Sequence, residues 1–103
     1  MTNRYAVSQD FIEMIEVQAF ENVPEVAECP HDVRVARLWY IPELRVYVAH
    51  LCHNKGDLGE YIVRHNEITD YFTFEYDPVN IRFDYYHAFC GGMTSKGEFV
   101  RGD

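Results

Sequence analysis

The sequence predicts an α+β fold in which one N-terminal helix packs on a mostly antiparallel sheet of about five strands. Two observations carry this prediction. Apolar residues near the N-terminus recur at the helical period, and later residues form short β-branched and aromatic runs separated by turn residues. With 103 residues, 48% of them hydrophobic and 25% charged, the chain is expected to fold as a single domain, 1–103.

The helix is predicted over about residues 8–21. Ser8 is a suitable N-cap, and Pro24 follows the expected end. Residues 15–20 also alternate, which is typical of a strand, but acidic residues in the first turns favour a helix through its dipole. The apolar residues at helical spacing are Phe11, Ile12, Ile15 and Ala19.

A β-hairpin is predicted from two runs, 33–41 and 44–52, separated by Pro42-Glu43. Proline presets φ for a turn and has no N–H for a ladder, so it belongs at the bend. In the second strand, alternation assigns one face to Val46, Val48, His50 and Cys52, and the other face to Tyr47, Ala49, Leu51 and His53.

A turn at 54–57 is expected to lead into a third strand at 60–65. A helix is the alternative there, because Asp57 and Glu60 have capping-box spacing, whereas Gly59 and Val63 favour the strand.

Residues 71–76 and 81–89 are the clearest remaining strands, with a turn at 77–80 between them. Gly91-Gly92 is predicted to end the last long strand, and Phe99-Val100 to form a short edge strand.

Charge is distributed unevenly along the chain. The formal net charge is −8 and the pI is about 5.0, which disfavours direct binding to nucleic acid or to anionic lipid. No Lys or Arg lies between Arg4 and Arg34, a stretch that contains Asp10, Glu13, Glu16, Glu21, Glu25, Glu28 and Asp32. A second acidic run contains Glu67, Asp70, Glu75 and Asp77.

These acidic runs have a spacing comparable to that of nucleic-acid phosphates. Carboxylates three residues apart on a helix rise by about 4.5 Å, and alternate strand residues by about 6.7 Å. Each DNA strand carries one charge per roughly 3.4 Å of axis. Tyr71 and Tyr76 in the second run add side chains that are favoured at interfaces. The alternative is that the carboxylates only solubilise the protein.

The sequence therefore predicts a small cytosolic inhibitor that occupies the basic nucleic-acid-binding groove of a partner such as a nuclease or an effector complex. Immunity proteins and phage inhibitors of restriction or CRISPR machinery are general classes of this size and charge. Pairing of two copies through an edge strand stays open. The predicted partner-binding residues are Asp10, Glu13, Glu16, Glu21, Glu67, Asp70, Tyr71, Glu75, Tyr76 and Asp77.

No cofactor is predicted, but a structural zinc site is an alternative function because soft ligands lie at short spacings. The spacing matches no standard zinc finger or ribbon. The soft residues in question are Cys29, His31, His50, Cys52, His53, His87 and Cys90. The proposed ligands among them are Cys29, His50, Cys52, His87 and Cys90, since His53 points away from His50 and Cys52 in a strand.

An enzyme is not predicted, since no P-loop, H-E-x-x-H, nucleophile elbow or dinucleotide-binding turn is present. A small cysteine-dependent enzyme is the second alternative, with His87 activating Cys90 and Gly91-Gly92 supplying backbone donors. We expect the protein to be located in a reducing cytosol, because its three cysteines are widely spaced. The lack of a long apolar run and of a secretory signal favours the same location.

Overall fold

The computed structural model describes residues 4–23, 33–53 and 56–102. Its six strands form one antiparallel sheet in the order β4-β3-β2-β1-β5-β6. The predicted α+β class is confirmed. In chain order the elements are α1 (Gln9–Asn22), β1 (Arg34–Ile41), β2 (Val46–His53), β3 (Gly56–Asn66), β4 (Tyr71–Tyr76), a 3-10 helix (Ile81–Asp84), β5 (Ala88–Met93) and β6 (Phe99–Arg101).

Helix α1 begins directly after Ser8, whose hydroxyl oxygen accepts a hydrogen bond from the Phe11 N–H at 3.1 Å. Ile12, Ile15 and Ala19 are fully buried against the sheet, as their spacing predicts. The predicted helix is therefore confirmed, while Pro24 lies outside the described residues.

Strands β1 and β2 form the predicted hairpin, which closes at the Ile41–Val46 pair. Arg45 adopts a left-handed conformation at φ 55°, and its N–H donates to the Ile41 carbonyl at 2.8 Å. Val46 and Val48 pack on one face of the sheet, and Ala49 and Leu51 on the other. This alternation agrees with the prediction.

Strand β3 is the third strand that the sequence favoured, so the helical alternative for this region is wrong. Gly59 has φ +100°, and the β2–β3 register shifts between Leu51 and Cys52, so the chain bulges at the glycine and then continues as a strand. Strand β4 has the predicted bounds, 71–76.

The strand predicted over 81–89 is wrong from residue 81 to residue 87. Asn80 has φ 57°, and the carboxylate of Asp77 accepts hydrogen bonds from the Val79 and Ile81 N–H groups. These contacts turn the chain into a 3-10 helix, and the strand begins only at Ala88.

The prediction that Gly91-Gly92 ends a strand is also wrong, because both glycines lie inside β5. A Cβ at Gly92 would lie 2.8 Å from the carbonyl carbon of Ala36 in β1, so only glycine permits this approach of the two backbones. The short edge strand predicted at Phe99-Val100 is confirmed as β6.

Both faces of the sheet carry apolar side chains. We call the side covered by α1 the helix face; it includes Val35, Leu38 and Cys90. The opposite side, which we call the second face, is covered by the 3-10 helix segment and is built around Trp39, Ile41, Val46 and Val48. Strands β1 and β2 are therefore buried on both faces. Among the described residues, no helix is both long enough and apolar enough to cross a membrane.

Candidate functional site

The outer side of α1 is acidic and has no basic side chain. Asp10, Glu13 and Glu21 are exposed there, because the buried stripe of Ile12, Ile15 and Ala19 faces the sheet. An apolar side chain, Val17, lies on the same outer side and is 57% exposed.

The β3–β4 turn adds two more exposed carboxylates, Glu67 and Asp70. The Asn66 side-chain oxygen accepts hydrogen bonds from the N–H groups of Ile68 and Thr69 and thereby shapes the turn. As a result, Ile68 stands 95% exposed at the tip.

Gln18 connects the helix to this turn. Its amide nitrogen donates to the Asp70 carbonyl, and its amide oxygen accepts from the Phe72 N–H, both at 2.8 Å. These two hydrogen bonds hold one flank of α1 against the turn. We call their exposed carboxylates the acidic surface: Asp10, Glu13, Glu21, Glu67 and Asp70.

The carboxylate of Asp70 has a partner inside the molecule. Its Oδ1 lies 3.1 Å from Nε2 of His65, whose ring stacks on Phe72 with a centroid distance of 4.6 Å. The Asp70 side chain is nevertheless 65% exposed, so it still contributes to the field of the acidic surface.

Glu16 does not complete a row of exposed carboxylates along the helix. It is only partly exposed, and its Oε2 accepts a hydrogen bond from the Val35 N–H at 2.9 Å. Burial raises the pKa of the Glu16 carboxyl above its ordinary value, although the Val35 hydrogen bond opposes this shift. The role of Glu16 in this structure is to hold α1 against the start of β1.

Replacing Glu16 with glutamine is expected to increase stability at neutral pH. The amide oxygen can still accept the Val35 N–H, while the cost of a partly buried charge disappears. Because the pKa of Glu16 is raised, the folded protein binds the proton of this carboxyl more tightly than the unfolded chain does. The wild type therefore gains stability as the pH falls through the folded pKa of Glu16.

The advantage of Glu16→Gln should therefore shrink as the medium is acidified. Urea unfolding of both proteins from pH 7 to pH 3 measures this difference. Glu13→Gln is the matched control, because Glu13 is exposed on the same helix. An advantage that stays constant over this range would contradict the assignment.

Glu75 lies away from the acidic surface, on the second face of the sheet. Its Oε1 is 3.3 Å from Nη1 of Arg64, and both side chains are more than half exposed. Such an exposed pair adds little stability, but it cancels the local negative charge.

The prediction that Asp77 contacts a partner is wrong, because the residue is not accessible. It is 2% exposed, and its two carboxylate oxygens accept the N–H groups of Val79 and Ile81. The carboxylate shapes the turn after β4, as Asp residues commonly do.

The two tyrosines predicted as anchors lie at opposite ends of β4. Tyr71 is 67% exposed, and Tyr76 packs against Tyr61 with ring centroids 5.4 Å apart while remaining half exposed. Alternation places Tyr71 on the second face and Tyr76 on the helix face, so they do not form one patch.

The described residues do not assemble the predicted zinc ligands. No group of three or more His, Cys, Asp or Glu side chains in this part of the chain is arranged to hold a metal ion. Nε2 of His50 lies 3.1 Å from Oδ1 of Asp57, and Cys90 is buried in the core. Cys29 and His31 lie outside the described residues.

Cys90 and His87 do not form a catalytic pair in this structure. Cys90 is fully buried on the helix face, and burial raises the pKa of its thiol to about 12, so the thiolate is absent at neutral pH. The His87 ring packs against Trp39, which belongs to the second face.

Sequence reasoning missed a cluster on the second face in which Arg82 binds Glu60. The Nε of Arg82 donates to Oε1 and Oε2 of Glu60 at 3.1 and 3.2 Å, and its Nη2 donates to Oε2 at 3.1 Å. The Arg82 guanidinium also lies 3.8 Å from the centroid of the Trp39 ring. The partners come from three separate parts of the chain, so local patterning carries no signal for this contact.

No protein-family model matches the chain, and neither a curated protein nor a solved structure shows significant similarity.

Proposed function

We propose that the protein binds a basic nucleic-acid-handling protein through its acidic surface and inhibits it by occupying the groove that normally receives nucleic acid. One observation carries this proposal: the exposed side of α1 presents three carboxylates with no basic side chain, beside a turn that presents two more. A concentration of one charge sign favours rapid association with a surface of the opposite sign.

Apolar side chains among these carboxylates support the interpretation as an interface. Val17 lies on the outer side of the helix, and Ile68 projects from the turn. Charge alone solubilises a surface, whereas a binding surface also needs apolar contacts that exclude water at its centre.

The proposal is narrower than the sequence prediction. Glu16, Glu75 and Asp77 are not part of the acidic surface. Glu16 and Asp77 are bound within the fold, and Glu75 lies on the second face of the sheet beside Arg64. The remaining carboxylates do not form a continuous imitation of a phosphate track. We assign them long-range attraction to the groove and pairing with its Lys and Arg side chains.

The first step of the test is to identify the partner. Proteins retained by the immobilised chain are eluted with a short DNA duplex, which releases those held through a nucleic-acid-binding groove. Each released protein is purified, and its DNA binding or cleavage is measured with increasing amounts of this protein.

The second step is a charge reversal, Glu13→Lys/Glu21→Lys/Glu67→Lys. We expect inhibition to weaken by about ten- to a hundred-fold, since each lost pair contributes up to about 1 kcal/mol and more when desolvated. The matched control is Glu43→Lys/Asp84→Lys/Glu98→Lys, which changes the net charge equally at exposed positions elsewhere. Equal inhibition by the two triple variants would contradict the proposal.

A further inference from the structure

Strand β4 is an edge of the sheet, and the hydrogen bonds show which of its backbone groups point away from β3. Immediately after β4, the Asp77 N–H donates to the Glu60 carbonyl of β3 at 2.9 Å. The Phe72 N–H donates in the other direction, to Gln18 of the helix. Because alternate residues of a strand direct their backbone groups to the same side, those of Phe74 and Tyr76 point outward with Phe72.

Gln18 already satisfies one end of this outer edge. Its amide accepts the Phe72 N–H and donates to the Asp70 carbonyl, so it takes the place of a peptide group in a neighbouring strand. The outward groups beyond it are the carbonyl of Phe72 and both backbone groups of Phe74 and of Tyr76. No strand within 4–23, 33–53 or 56–102 pairs with them.

Beyond the end that Gln18 covers, β4 lacks several of the usual protections of an edge strand. Natural edges are blocked by lysine, proline, a bulge or very short length. Strand β4 has six residues, contains neither lysine nor proline, and pairs with β3 without a register shift. The opposite edge, β6, has only three residues.

The side chains of β4 define the chemistry of a strand that would fit. On the helix face an incoming strand meets the apolar side chains of Phe74 and Tyr76, and on the second face it meets Glu75. The Glu75–Arg64 pair is exposed, so a cation of the incoming strand can replace Arg64 at little cost. Glu67 and Asp70 of the acidic surface lie in the turn that precedes β4.

We propose that an extended segment of the partner, with alternating basic and apolar residues, adds to the outer edge of β4 as a further strand. This inference deepens the proposed function, and it rests on that function for the positive charge of the partner. The net charge of −8 opposes a second copy of the chain as the occupant. Backbone hydrogen bonds would supply affinity, and the alternating side chains would supply specificity.

The binding test uses a fluorescein-labelled hexapeptide of alternating lysine and valine, with blocked ends, measured by fluorescence anisotropy. Two isomers carry backbone N-methyl groups on the lysines or on the valines. Each isomer keeps hydrogen-bonding N–H groups along only one edge. We expect one isomer to bind like the parent and the other about ten-fold more weakly, because its lost hydrogen bonds face β4. Equal affinities for the two isomers would overturn strand addition.

Variants of the protein provide the second arm. Tyr76→Pro removes an outward N–H, whereas Tyr76→Thr removes the same ring and keeps that N–H. We expect Tyr76→Pro to bind the peptide about five-fold more weakly than Tyr76→Thr. Should the proline variant fail to fold, the isomer comparison still decides.

Sedimentation of the wild-type chain tests the competing occupant. A dimer that Tyr76→Pro abolishes, together with no peptide binding, would assign the edge to a second copy and overturn the proposal.

If the peptide binds β4 but the Glu13/Glu21/Glu67 reversal leaves inhibition intact, only the proposed function fails. If that reversal abolishes inhibition but the peptide isomers bind equally, only the β4 inference fails.

Discussion

Replacing Arg82 with methionine is expected to lower the free energy of unfolding by about 3–5 kcal/mol, because it leaves the Glu60 carboxylate buried without its cation. The side chains of Arg82 and Glu60 are only 15% and 7% exposed. The guanidinium also contacts two rings, with centroid distances of 3.8 Å to Trp39 and 4.1 Å to Phe83.

Urea unfolding measures this loss, and Arg64→Met is the matched control. Arg64 also pairs with a glutamate, but on an exposed surface, so its replacement should cost under about 1 kcal/mol. The double variant Glu60→Leu/Arg82→Met should recover most of the stability, since it removes the unpaired charge. Equal losses for Arg82→Met and Arg64→Met would show that burial does not strengthen the Arg82 contact.

Gly92→Ala is expected to cost about 3 kcal/mol or more by preventing the close pairing of β5 with β1. The new Cβ would overlap the Ala36 carbonyl oxygen and lie 2.9 Å from the Cα of Arg37. Both obstacles are backbone atoms, so no change of side-chain rotamer relieves the overlap.

Thermal unfolding followed by circular dichroism tests this expectation against Gly97→Ala. At Gly97 a Cβ meets only the Arg34 guanidinium, at 3.5 Å, so the expected cost is limited to the left-handed conformation at φ +81° and amounts to about 1 kcal/mol. A Gly92→Ala protein as stable as Gly97→Ala would mean that β1 and β5 can separate at this point without loss.

The elements that the sequence predicted correctly are those set by short-range patterns. The Ser8 cap and the spacing of Ile12, Ile15 and Ala19 define α1, and Pro42 marks the bend between β1 and β2. These signals lie within a few residues of the structure they determine, so they could be read without knowledge of the fold.

The strand prediction fails over 81–87 because contacts with distant residues determine this region. Its alternating apolar residues are typical of a strand, yet the carboxylate of Asp77 caps the Ile81 N–H, and Arg82 reaches across to Glu60. Ile81 and Tyr85 then pack on the second face from a segment that crosses it. Tertiary packing overrides local propensity here.

The sequence predicted only part of the candidate binding site, because contacts with distant residues matter there as well. The sequence shows where carboxylates occur, but it does not show which of them find partners inside the fold. Glu16 meets the Val35 N–H from the next element, and Asp77 turns back onto its own loop. The edge position of β4 also requires the order of the strands, which the sequence does not supply.

The strand order has a consequence for how the protein folds. Each of β1 to β4 pairs with its neighbour in the chain, so these contacts close short loops at low entropic cost. Pairing β5 with β1 joins Trp39 to Phe89, fifty positions further along the chain. That closure is the slow step expected from contact order, and until it occurs β1 is itself an unprotected edge, open to association with other unfinished chains.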